Sequence, residues 1–226
     1  MKKNIFLVLI LLLVNTGCTV VENSTVIARN VSSSKGLEVG GLEKIEKKEV
    51  PNNYFLAVPF VMQAPFANWE EHNESCEEAG LLLVNYFYKN QSLSKEAADK
   101  ELKEMVKYQV TNYGGEYDIY ALEMSRLAKD FYGYMNSRVI DGSRENIVQE
   151  LLNKNPVIVP TTAAYLKPEK NDYPEMGYHV VVIVGYDETG YIVHDPGTYT
   201  GENTHYSYGI MDRAMADYDR KLLVLK

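Results

Sequence analysis

At Asn155 the hydrophobic pattern of this chain changes period, and no other feature limits its fold as strongly. Upstream, Ala79, Leu82, Leu83, Tyr86 and Phe87 recur at spacings of three and four, which predicts a helix from Cys76 to about Lys89. Three more helices are expected over Ser94 to Tyr108, Asp118 to Phe131 and Ser143 to Asn153, each opened by a Ser or Asp whose side chain can cap free N–H groups. Downstream, the runs Pro156 to Thr161, His179 to Tyr186, Tyr191 to His194, His205 to Tyr208 and Leu222 to Leu225 are β-branched or aromatic. Turn signals such as Asp187-Glu188-Thr189-Gly190 and Pro196-Gly197 separate them. The order implies an α+β domain, an N-terminal helical half packed against a C-terminal antiparallel sheet with a cleft between.

The folded part is expected over 53–226, entered through the extended segment Phe55 to Val61, which Pro59 limits. Residues 19–52 are polar and broken, with no sustained apolar stripe, and read as a tether. Residues 1–18 begin with the basic Met1-Lys2-Lys3, continue through the apolar run Ile5 to Val14, and close on Asn15-Thr16-Gly17-Cys18. That is a signal-peptide pattern, too short for a span of ~20 residues. Its end resembles a bacterial lipobox, which implies lipidation of Cys18. Asn15 departs from the pattern, where a branched aliphatic residue is usual. The expectation is an exported, membrane-anchored envelope protein, held to the membrane through that lipid.

Lys+Arg 23 against Asp+Glu 31 give a formal charge of -8, which argues against nucleic acid, since phosphate binding needs clustered cations. Eighteen tyrosines fit half-buried surface, or a wet groove for an extended ligand.

Only two cysteines are present, and with Cys18 in the targeting segment Cys76 has no evident disulfide partner. It stands where a polar loop becomes an apolar helix, and Ser75 with Glu78 has the spacing of a capping box. The free N–H groups of a helix start favour a thiolate, as does a nearby imidazolium. His179 is a candidate for that imidazole. Asp195 returns toward it through the Asp187 to Gly190 hairpin, in which Tyr186 and Tyr191 flank the turn and Val184 faces roughly Val193. Gln63 and the Cys76 N–H are candidate oxyanion donors. His72, in the loop before the helix, is expected to be solvated, and His194 to point away from Asp195. No paired metal-ligand spacing occurs, and no metal or other cofactor is expected.

Together, Gln63 within Val58-Pro59-Phe60-Val61-Met62-Gln63-Ala64-Pro65, then Asn68-Trp69, Cys76-Glu77-Glu78-Ala79, His179 to Tyr186 and Asp195-Pro196 resemble the papain-like peptidase C39-like family over about Tyr54 to Lys226. The resemblance implies a papain-like cysteine peptidase fold in which Cys76 is the nucleophile, His179 the base, Asp195 its orienter and Gln63 the oxyanion donor. It implies hydrolysis of a peptide or amide bond in a peptide or protein substrate, through a thioester; the protein is expected to be a monomer. Trp69 and Glu77 are the candidates for substrate contact. Unlike family members fused to transporters, this chain has no later span and no phosphate loop. Glu77 and Glu78 set two carboxylates beside the thiol, and neighbouring anions disfavour a thiolate. An inactive peptide-binding surface module on the same fold therefore stands as the alternative, and acyl transfer as a third reading.

Overall fold

Serine hydroxyls set the start of three helices. In chain order the elements are β1 (Tyr54–Phe55), α1 (Trp69–His72), α2 (Cys76–Lys89), α3 (Lys95–Tyr113), α4 (Ala121–Leu127), β2 (Arg138–Asp141), α5 (Arg144–Leu152), β3 (Val157–Thr162), β4 (Tyr178–Tyr186), β5 (Gly190–His194), β6 (Thr204–Ser207), α6 (Tyr208–Ala216) and β7 (Lys221–Val224). Ser94, Ser143 and Ser207 accept from the N–H groups of Ala97, Asn146 and Ile210 at the starts of α3, α5 and α6. This computed structural model describes residues 49–115, 118–166 and 177–226. The signal segment, Cys18 and the tether up to residue 48 lie outside the described residues, as do Glu116 and Tyr117 of the turn at 113–117.

All strand pairs are antiparallel, in the order β2-β7-β3-β4-β5-β6, and β1 takes the edge of β4 beyond the end of β3. Strand β4 is buried from His179 to Tyr186, as a central strand covered on both faces must be. Helix α2 is buried along Cys76 to Asn85 and lies against β4. Gly80 permits the approach: a Cβ there would stand 3.1 Å from Val180 Cγ1 and 3.3 Å from Ile158 Cγ2. Val180, Val182 and Ile158 therefore face α2. By alternation His179 and Val181 face the other layer.

The expected helices and strands are present, with differences that have local causes. Asp118 does not cap α4, which begins at Ala121. Ile119 is fixed ahead of the helix because its N–H donates to Glu77 Oε1 (2.9 Å) and its carbonyl accepts from the Tyr178 hydroxyl (2.5 Å). The helix then widens into a π-turn over Ala128–Tyr132. Three elements were not anticipated: α1, a single turn in the polar loop before Cys76; β2, a short strand on the far edge beside β7; and α6, which buries Met211, Ala214 and Met215. Pro51 and Asn52, assigned to the tether, bond the β4–β5 hairpin. The Tyr186 hydroxyl donates to the Pro51 carbonyl (2.9 Å) and Asn52 Nδ2 to Glu188 Oε1 (2.8 Å).

Candidate active site

Cys76 is the first residue of α2, as its spacing required, but the capping box does not form. The Ser75 hydroxyl is instead 3.3 Å from His72 Nδ1, and Glu78 accepts from Gln109 Nε2. His72 is buried rather than solvated. Its other nitrogen lies 3.0 Å from Asp99 Oδ1, so an α3 carboxylate braces the loop that delivers the thiol. Burial works against Asp99, yet hydrogen bonds from His72, Lys103 and Asn68 hold its carboxyl down at about 2.

The environment of the thiol reverses the expectation drawn from a helix start. Burial, and after it the charge of Glu77, push Cys76 well above the ordinary thiol range, with Glu78 adding to them. Cys76 Sγ donates to Glu77 Oε2 at 3.1 Å. Glu77 is itself buried, and desolvation raises its carboxyl from 4.5 to about 7, although the Ile119 N–H and Cys76 both favour the carboxylate. The Val180 N–H favours the thiolate. That donor is not taken up by β5, which joins β4 only from Val182 onward. The thiol thus meets β4 at an open backbone edge, one residue past His179.

His179 Nε2 lies 2.8 Å from Asp195 Oδ1, with both side chains fully buried. A one-residue irregularity makes this pairing. From Tyr186↔Tyr191 and Gly185↔Ile192 the ladder jumps to Ile183↔Val193 and Val182↔His194, leaving Val184 as a bulge. The register expected from sequence, Val184 opposite Val193, would have carried Asp195 opposite Val182, on the face away from His179. The bulge brings it opposite Val181, on the face of His179. Asp195 also accepts from the Tyr206 hydroxyl (3.1 Å) and the Gly197 N–H (3.1 Å). Tyr206 went unnoticed in the sequence because nothing short of the β5–β6 register places it there.

Gln63 closes the circuit. Its N–H donates to the Pro196 carbonyl at 2.9 Å, and its Nε2 donates to the carbonyls of His72 (2.9 Å) and Asn73 (3.1 Å). Its Oε1 is buried, with no hydrogen-bond partner among the described residues. Contacts therefore run from Gln63 to the 72–73 loop, to Cys76, to β4 at 179–180, to Asp195-Pro196 and back. His194 turns the other way, as alternation predicted, with Nε2 on the Val58 carbonyl (2.9 Å) and Nδ1 accepting from the Asn203 N–H (3.2 Å). Trp69 opens α1 half-buried. Beside Gln63 and the loop after Asp195, Phe60, Met62, Pro65, Phe66 and Tyr199 line an open groove of about 820 Å³. Tyr178, Tyr120 and Tyr218 form an aromatic cluster at the start of β4, with ring centroids 5.0 to 5.6 Å apart. Among the described residues, Glu71, His72 and Asp99 bring ligand-type atoms within 4.8 Å of one another. The Lys103 ammonium already pairs with both carboxylates there, at 2.8 and 3.0 Å.

The sequence profile of the peptidase C39-like family matches residues 55–220, the stretch that carries every one of these groups. Among solved structures, a Bacillus anthracis protein described as a C39-like peptidase superposes with a TM-score of 0.57 at 18% identity, covering 78% of this chain and 98% of its own. At that identity the likeness speaks to the fold, which is mixed helix and antiparallel sheet in both. No curated protein matches the chain.

Proposed function

This chain belongs to the peptidase C39-like family, a family of peptidase-type hydrolases, and from that premise we propose that it cleaves a peptide or amide bond through a thioester on Cys76. The observation that carries the reading is the closed ring of contacts through Gln63, Cys76, the 179–180 edge of β4 and Asp195, with His179 and Asp195 2.8 Å apart. Cys76 Sγ attacks the carbonyl carbon. His179 carries protons between the reacting groups, and Asp195 holds the ring and complements its positive charge. The Cys76 N–H stabilises the oxyanion, joined by Gln63 Nε2 when it turns from the Asn73 carbonyl, the longer of its two bonds. An extended substrate fits the groove beside Met62 and Tyr199. The lipobox-like end at Cys18 supports an exported, lipid-anchored location facing envelope peptides.

The full chain is to be incubated with a peptide library and the products read by mass spectrometry. Wild type yields cleaved peptides and Cys76→Ala none; full hydrolysis by Cys76→Ala refutes the reading. One observation favours a second reading, a module that holds peptide without cutting: the thiol proton rests on a buried carboxylate and the thiol is pushed up. Saturable peptide binding with no turnover and no labelling of Cys76 by a peptide electrophile supports it.

A further inference from the structure

The Glu77 carboxylate is closed off from solvent and has three partners, its own backbone N–H, the Ile119 N–H at 2.9 Å and the Cys76 thiol at 3.1 Å. A carboxylate needed only to anchor the 118–120 segment has no reason to aim its second oxygen at the sulfur. We infer that Glu77 is a catalytic residue, the group that takes the thiol proton when Cys76 attacks, leaving His179 to serve the leaving group and the hydrolytic water. The inference rests on the reading of Cys76 as nucleophile and refines it.

The protons balance over a cycle that starts from the Cys76 thiol, the Glu77 carboxylate and the His179 imidazolium. In acylation the Sγ–C bond forms and the carbonyl π pair moves to oxygen, while the thiol proton passes to Glu77 Oε2. The C–N bond then breaks as the imidazolium gives its proton to the departing amine. In deacylation His179 takes a proton from the attacking water. The C–S bond breaks, and Glu77 returns its proton to sulfur.

Proton sharing leaves a signature in the thiol itself. The titratable groups facing the pair are Asp118 ahead of α4, Glu78 on α2 and Tyr178 on β4. Below about 7, where Glu77 is protonated, the pair holds two protons and the sulfur is inert. Above it the pair holds one, and the form with thiolate beside carboxylic acid is a fixed fraction whatever the pH.

The experiment is iodoacetamide alkylation of Cys76 in the full chain, read by peptide mass spectrometry, which reports the pair even if the protein hydrolyses nothing. The wild-type rate is expected to rise about tenfold per pH unit and then level off above about 7. In Glu77→Gln the thiol titrates alone, and the rate climbs about tenfold per unit with no break from pH ~6 to ~9. Glu78→Gln, which removes a buried charge one residue away, keeps the break. A wild-type rate that climbs straight through this range overturns the inference, whether or not the variants fold. So does a break that survives in Glu77→Gln, since it could not then arise from that carboxyl. Loss of hydrolysis in Cys76→Ala bears on the proposed function; the alkylation profile bears on Glu77.

Discussion

Replacing Glu77 by Gln should stabilise this protein, and only above a definable pH. Its folded carboxyl is raised from 4.5 to about 7 because burial penalises the charged form. A raised value means that the native contribution is fully present below the unfolded value of 4.5 and is lost as pH climbs through about 7. At ~1.4 kcal/mol per unit, that loss comes to about 3 kcal/mol. Gln carries no such penalty, and its Oε1 can still accept from the Ile119 N–H. Near pH 4.5 the two proteins should therefore be of similar stability. Their difference should widen between 4.5 and about 7 and stay constant beyond, with the variant ahead by about 3 kcal/mol. For a domain of this size that is roughly 6 to 12 °C in melting temperature. Urea unfolding across this range measures it directly. A stability difference that does not change with pH would refute the claim that a buried, ionisable Glu77 burdens the fold at neutral pH.

Two further changes test how Asp195 is positioned. A Cβ on Gly201 would fall 1.8 Å from the Asp195 carbonyl oxygen, whereas one on Gly209 in α6 meets nothing within 4 Å. Gly201→Ala should cost about 1–3 kcal/mol and depress kcat, while Gly209→Ala should be neutral or gain up to about 1 kcal/mol; comparable melting curves for the two would refute this. Deleting Val184 leaves β4 and β5 of equal length between Tyr186↔Tyr191 and Val182↔His194, so the ladder closes without a bulge and Asp195 stays opposite Val181, on the face of His179. Hydrolysis should therefore stay within about tenfold of wild type; a fall of ~100-fold or more, in a chain whose circular dichroism still shows the sheet, would show that the bulge itself, and not the register beyond it, pairs them.

The helices and most strands were legible because their signals are local. Serines at 94 and 143 cap as they stand in sequence, and the β-branched run of β4 is buried as written. What escaped depends on competition between distant groups. Ser75 has a capping-box sequence, yet His72 takes its hydroxyl because Asp99, on another helix, fixes that ring. Asp118 looks like a cap, but Glu77 and Tyr178 claim the backbone of the next residue and delay the helix. Helix α6 was masked by Tyr206 and Tyr208, which read as strand, although Met211, Ala214 and Met215 have a buried helical spacing.

The candidate site shows the same division more sharply. The order Gln63, Cys76, His179, Asp195 can be read off the chain, but whether Asp195 and His179 share a face depends on a single unpaired residue. Val184 lies among five valines and isoleucines between Val180 and Val184, any of which could bulge as far as its chemistry shows. The choice is made at the ends of the hairpin. Tyr186↔Tyr191 is fixed by the Asp187 turn, whose carboxylate accepts from the Thr189 and Gly190 N–H groups. Val182↔His194 is fixed by His194 on the Val58 carbonyl and by Asp195 on His179. Between these two pins β4 has one residue more than β5, so one must leave the ladder. It leaves beside Gly185, where a Cβ would stand 2.6 Å from the Tyr54 carbonyl and only glycine leaves β1 room to pair. Strand β1, the hairpin turn and the candidate triad are thus parts of one geometric constraint, although the residues that impose it are scattered from Tyr54 to Asp195.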